Sequence, residues 1–197
     1  MAVELLVEGY TDEVFVRECY GQLGIPIATV YGKRGIDYIR AKANAFAVRG
    51  RYCPILILAD FMDMKSVCPS EARHALVQVS EQHTLVRLAV RELEAWVLAS
   101  RAELARFLRV PLTRVPENPD LVVDPKGTLV NLARSSSSSK IREMFVPRLD
   151  SSASVGIGYV EGLSAFMADY WDLDSARSSS ESLSRFVTRS TELFLAP

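Results

Sequence analysis

Histidine and cysteine are scarce in this chain, which holds two of the first and three of the second in 197 residues. His74 and His83 are too few for a histidine-rich metal site. Cys19, Cys53 and Cys68 stand at spacings that match no zinc ligand set, and their odd number argues against a disulfide framework. No apolar run approaches the ~18 residues of a membrane span. No signal-peptide pattern is visible either, which sets the expectation of a cytoplasmic protein without membrane contact. Nor does either sign of charge prevail: 23 basic residues stand against 24 acidic ones, a net charge of −1. The chain as a whole therefore exerts no long-range pull on nucleic acid, and any such contact needs a local patch or a partner. Apolar residues are plentiful at 49%. A chain of this length buries roughly 70% of its unfolded surface and needs no staple to fold.

The first 108 residues alternate between strand and helix patterns. Val3–Val7 reads as a short buried strand, Ala28–Tyr31 as a second short strand, Ile55–Ala59 as the strongest strand signal, and Leu85–Val90 as a fourth strand. Helical patterns fall at Asp12–Tyr20, stopped at Gly21, at Ile36–Val48, at Ser70–Gln82 and as one long helix at Glu92–Leu108. Continuous apolar strands separated by helices predict a mostly parallel α/β sheet with helices on both faces. From Arg109 the character changes. "RVPLTRVPENPDLVVDPKG" holds four prolines in nineteen residues. A short helix at Thr128–Ala133, the serine run Ser135–Ser139 and amphipathic segments near Tyr159–Trp171 and Ser182–Leu195 follow. Residues 109–197 are thus expected to form a Pro-rich loop and a helical C-terminal appendage packed on the 1–108 core as a single structural unit.

In a parallel sheet the carboxyl ends of the strands share one edge, where open α/β sheets bind ligands. Glu8 closes the first strand, Asp60 the third, and Glu92 follows the fourth, with Asp12, Asp63 and Glu94 nearby. Two like unit charges at 4 Å repel by roughly 1–4 kcal/mol in a polarisable setting. Hard divalent cations remove that penalty, and carboxylates with water suit Mg²⁺ or Mn²⁺. Taken singly, each acid is equally a helix cap or a solvated loop residue.

"VEGYTD" (Val7–Asp12) followed by "LILADFMD" (Leu56–Asp63) resembles the TOPRIM fold of topoisomerases, primases and overcoming-lysogenization-defect (OLD) nucleases. Together with "RELEAW" (Arg91–Trp96), "DPKGTL", "VGIGYVEGLSAFM" and "SLSRF", it looks like a small bacterial TOPRIM-like family of unknown function. The resemblance covers nearly the whole chain and implies a TOPRIM-like (Rossmann-like) core with a phosphoryl-transfer site. By similarity, Glu8, Asp12 and Asp60 would hold one Mg²⁺ or Mn²⁺, and Glu92 and Glu94 would help hold a second. The activity implied is that of a metal-dependent endonuclease or phosphodiesterase, a hydrolase of nucleic acid, DNA in preference to RNA. It would serve as the effector subunit of a phage-defence or repair complex with an ABC-type ATPase partner. A module that keeps the fold and only binds or regulates is the alternative. The pattern departs at one place: a strict Asp-x-Asp would put its second acid at Met62, whereas here it is Asp63, and its role as a ligand stays open. If Glu92 and Glu94 are both helical they lie roughly 200° apart, so that only one can point straight at a site.

Between Lys126 and Arg148 five bases face one acid, a local charge of +4. Lys126, Lys140 and Arg142 are candidate phosphate contacts, and Lys126 is a candidate for neutralising transition-state charge. Lys33 and Arg34, in the "YGKRG" loop, are further candidates for nucleic-acid binding, against the simpler reading of that loop as a turn.

Overall fold

Four short strands build one sheet: β1 (Val3–Val7), β2 (Ile27–Gly32), which is half exposed, β3 (Ile55–Asp60) and β4 (Thr84–Ala89). All three pairings are parallel and the strand order is β2-β1-β3-β4. Val7 sits beside Leu58, and Asp60 beside Ala89, so the strands end at one edge. The computed structural model describes residues 1–64, 68–79, 81–89 and 92–195. Val90, expected to end the fourth strand, Ser80 of an expected helix and Arg91 of the "RELEAW" motif lie outside the described residues.

The connections are helical: α1 (Tyr10–Leu23), α2 (Ile36–Arg49) and α3 (Pro69–Leu76). Side chains alternate across a strand, so the sheet has two apolar faces. Leu6, Ile55, Ile57, Ala59 and Val86 pack with Ile39, Ala43 and Phe46 of α2 and Leu76 of α3. Leu5, Val7, Leu56 and Leu58 are equally buried and, by alternation, face the other way. On that side stand Phe15 and Tyr20 of α1, whose rings meet Phe186 at 6.1 and 6.0 Å. The chain is α/β, with an all-parallel, Rossmann-like sheet covered on both faces, as its strand pattern predicts. The loop after β1 leads toward β2 and the loop after β3 toward β4, on opposite sides. Their divergence makes the carboxyl ends of β1 and β3 the topological switch point, where such sheets take ligands.

Contacts divide the chain into two compact units, residues 1–90 with 184–197, and residues 91–183; the composition break at Arg109 falls inside the second. That second unit is helical: α4 (Glu94–Ala99), α5 (Arg101–Leu108), α6 (Pro125–Arg134), α7 (Ser139–Phe145), α8 (Tyr159–Asp169) and α9 (Leu173–Ser179). Every residue of α4 is buried, because α6 and α9 both pack on it. Its Trp96 donates from Nε1 to Ser182 Oγ at 3.1 Å, and Trp171 Nε1 donates to the Trp96 carbonyl at 3.4 Å. The last helix, α10 (Glu181–Phe194), returns to the first unit from Ser184 onward. Its Leu183, Phe186, Val187, Ser190 and Phe194 are buried at helical spacing.

Several boundaries differ from expectation for identifiable reasons. The α1 helix runs through Gly21 and stops at Gly24, which takes the left-handed conformation (φ 71°) and donates to the Gly21 and Tyr20 carbonyls. The single helix expected from Glu92 to Leu108 is two, broken at Ser100 (ψ 64°). Ser100 Oγ donates to Glu103 at 3.0 Å and accepts the Asp172 N–H at 3.3 Å, so its side chain is tied on both sides of the break. In the serine run, Ser136 is buried and Ser138 caps α7. Among the described residues no helix is long and apolar enough to cross a membrane.

Candidate functional site

In the first unit the chain leaves β1 at Glu8, turns at Gly9 and enters α1. Asp12, in the first turn of that helix, accepts the Gly9 N–H through Oδ2 at 2.6 Å and is only 5% exposed. A carboxylate is favoured there by the unpaired amides and dipole of the helix start. The neighbouring strand end holds Glu8 in place. Gly32, at φ 97°, lies so close to Val7 that a Cβ would sit 2.1 Å from its carbonyl oxygen. Lys33 then donates its N–H to that carbonyl at 2.9 Å, and Gly35 donates to the Glu8 carbonyl at 3.1 Å. Glycine at 32 is thus what lets the second loop close against the end of β1.

Glu8 is surrounded by acids. Burial first, then the charges of Asp63 and Asp12, push its carboxyl up to about 7, a rise that a hydrogen bond from the Asp60 main chain partly offsets. A side-chain hydrogen bond with Asp63 also raises the Glu8 carboxyl. Glu8 Oε2 is buried and has no hydrogen-bond partner among the described residues. Asp63 reaches this position because a 3₁₀ turn at Met62–Met64 follows β3, with Met64 N–H bonded to the Phe61 carbonyl at 3.0 Å. Arg40 of α2 donates to the Asp63 carbonyl and to Asp37. One residue out of register, Asp63 is nonetheless the acid that most strongly loads Glu8.

The donors suit a hard cation: oxygen ligands, excess negative charge, and a buried oxygen left unsatisfied. They form an open set, since among the described residues no three His, Cys, Asp or Glu side chains close around one ion-sized position.

In the second unit a different acidic cluster is neutralised. Glu92 precedes α4, so the two acids of "ELE" are not both helical and can meet the same group. Lys126 Nζ lies 3.6 Å from Glu92 Oε1 and 3.7 Å from Glu94 Oε1. Glu92 Oε2 also accepts the Lys126 N–H at 3.1 Å, in the first turn of α6, which Asp124 caps through Gly127 N–H at 2.7 Å. Glu94 is 2% exposed, and Tyr159 donates its hydroxyl to Oε1 at 2.8 Å. Burial raises the Glu94 carboxyl above its usual range, and Lys126 and Tyr159 pull it back. Tyr159 is a partner that sequence patterns do not single out. It is held by Phe145, whose ring packs edge-on at 5.6 Å.

The remaining basic candidates are scattered. Lys33 pairs with Glu13 at 2.8 Å and lies 5.4 Å from the Tyr10 ring. Partial burial works against the charge of Glu13, yet its bonds to Lys33 and Arg17 hold that carboxyl below its usual value. Arg34 is exposed, 5.3 Å from the Tyr38 ring. Lys140 and Arg142 are exposed on α7, where Arg142 Nη1 donates to the Ser136 carbonyl at 2.5 Å.

Comparison with protein-family models, with curated proteins and with solved structures returns no match to this chain.

Proposed function

We propose that the chain is a divalent-metal-dependent nuclease that hydrolyses nucleic-acid phosphodiester bonds, with DNA as the preferred substrate. The observation that carries this reading is Glu8: a carboxyl at the topological switch point, crowded by Asp63 and Asp12, with a buried oxygen lacking a protein partner among the described residues. Such crowding is costly unless a cation relieves it. Glu8, Asp12, Asp60 and Asp63 are the residues proposed to hold one Mg²⁺ or Mn²⁺. Bound there, the ion supplies charge neutralisation at a phosphoryl oxygen and acidifies water. Glu92 and Glu94, assigned a second ion by resemblance, already share Lys126. We assign them the positioning of that ammonium for contact with a phosphate oxygen. A net charge of −1 gives weak attraction to a polyanion, which supports a cytoplasmic complex in which an ABC-type ATPase partner grips the nucleic acid.

The test pairs binding with turnover. Mg²⁺ or Mn²⁺ raises the melting temperature of the wild type and supports cleavage of plasmid or single-stranded DNA. Glu8→Ala and Asp60→Ala stay folded and lose both effects. If neither cation changes melting or supports cleavage, the nuclease reading fails. The open ligand set favours one competitor, a non-catalytic TOPRIM-like binding or regulatory module, which predicts a melting shift without cleavage.

A further inference from the structure

Strand β4 is last in the order β2-β1-β3-β4, and among the described residues no strand pairs with its outer edge. An open edge offers alternating main-chain N–H and C=O groups to any extended chain. Here that edge forms the floor of a groove of about 460 Å³ lined by Thr84, Leu85, Val86 and Arg87, with Arg73 of α3 on one side. Arg189, Glu192 and Leu193 of α10 line the other side. Thr84 and Val86 belong to the face covered by α2 and α3, and Leu85 and Arg87 to the opposite face, so the groove wraps the strand edge between two helices.

The charge in this groove is one-sided. Three arginines and one glutamate line it, and the glutamate is already paired with Arg189 at 2.8 Å. Arg87 donates from Nη2 to the Arg185 carbonyl at 3.2 Å, while its Nε is buried and has no hydrogen-bond partner among the described residues. Burial, then the like charges of Arg189 and Arg73, draw the Arg87 guanidinium below its ordinary value. Like charges held together around an unsatisfied donor call for an anionic ligand.

We propose that the β4 edge groove is a docking site for an acidic, extended peptide segment of a partner protein, which pairs with β4 as an added strand and sets its carboxylates against Arg73, Arg87 and Arg189. Two features select a peptide over a nucleic-acid backbone. An added strand sends successive side chains to opposite faces, which matches arginines placed on both sides of the edge. The strand edge presents donors and acceptors in alternation, and a phosphodiester chain, having only acceptors, leaves the β4 carbonyls unmatched. This site is separate from the acids around Glu8 and stands whether or not those acids bind a metal.

The test uses the full chain and a fluorescein-labelled peptide of repeating Glu-Glu-Val-Val, which sends carboxylates to both faces of an added strand, followed by anisotropy. The peptide binds the wild type with salt-sensitive affinity. The exposed double substitution Arg73→Glu with Arg189→Glu, checked for folding by circular dichroism, weakens binding at least about tenfold, roughly 1.4 kcal/mol. The same peptide N-methylated at every residue keeps its charge, cannot form the ladder through either edge, and fails to bind the wild type. The proposal is overturned if the peptide does not bind, if N-methylation leaves affinity unchanged, if charge reversal has no effect, or if a single-stranded oligonucleotide occupies these arginines in its place.

Discussion

Two acidic clusters, one in each unit, meet different electrostatic surroundings among the described residues. Glu92 and Glu94 share the Lys126 ammonium, and Glu94 also receives the Tyr159 hydroxyl. Glu8 faces Asp63 and Asp12 and keeps a buried oxygen without a protein partner among the described residues. Both central carboxyls are raised by burial, but Lys126 counters the rise at Glu94, whereas among the described residues the charges that act on Glu8 are those of Asp63 and Asp12. A compensated cluster serves the fold, and removing a member should harm stability. An uncompensated cluster opposes the fold, and removing a member should help it. That inverse expectation separates a structural acid from one kept for a ligand.

The heaviest loss falls on the compensated side. Glu94→Ala leaves the Tyr159 hydroxyl and the Lys126 ammonium without their shared acceptor in a buried position. Breaking such a pair from one side costs about 3–4 kcal/mol. Chemical denaturation should show this loss, and wild-type stability in the variant would end the contrast. Next comes the loop that shapes the uncompensated side. Gly32→Ala must place a Cβ 2.1 Å from the Val7 carbonyl at φ 97°, which should cost about 2–3 kcal/mol. Because Lys33 and Gly35 tie this loop to Val7 and Glu8, the variant should also lose any melting shift induced by Mg²⁺.

Glu8→Gln should run the other way. The folded carboxyl titrates at about 7 against an ordinary 4.5. Below about 4.5 both folded and unfolded states carry the proton, and the group's contribution is fully present. As pH rises through 7 the folded state must ionise among other acids, and that contribution is lost. Without metal, Glu8→Gln should therefore match the wild type near pH 4.5 and exceed it by about 2 kcal/mol at pH 8. This figure is reduced from the full linkage value because the side chain is partly exposed to solvent. Denaturation curves at the two pH values test it, and a variant less stable at pH 8 would place Glu8 among the structural acids.

The contrast between the clusters is only partly legible in the sequence. Strand β3 is the clearest, because its continuous apolar run ending in Asp60 is too short for a buried helix and too apolar for a loop, whereas Glu4, Thr29 and Arg87 interrupt the other three. Glu8 and Asp60 stand out for the same reason: a charge closing a buried strand at the carboxyl edge is conspicuous. Asp63 is not decidable, since its approach to Glu8 depends on the 3₁₀ turn at Met62–Met64, which carries no strong local signal. The break at Ser100 has no side-chain cap behind it and is hidden under apolar periodicity that continues across it. Tyr159 lies beyond reach, because its bond to Glu94 spans 65 residues and depends on how helices pack.

The mildest substitution discriminates best, because it removes one hydroxyl and no charge. Tyr159→Phe keeps the ring against Phe145 and deletes the donor to Glu94 Oε1. A hydrogen bond to a charged acceptor contributes about 1 kcal/mol or somewhat more. Its loss should depend on pH with a definite sign. The Tyr159 hydroxyl stabilises ionised Glu94, so deleting it lifts an already raised carboxyl further. Where Glu94 is protonated in the folded state the hydroxyl has little charge to act on, and wild type and variant should differ little. Once pH has risen past the folded value, the variant holds a buried carboxylate that has lost one of its donors, and the gap should open to its full size. Denaturation of both proteins across this range measures it directly. A gap independent of pH would mean that Tyr159 acts through packing.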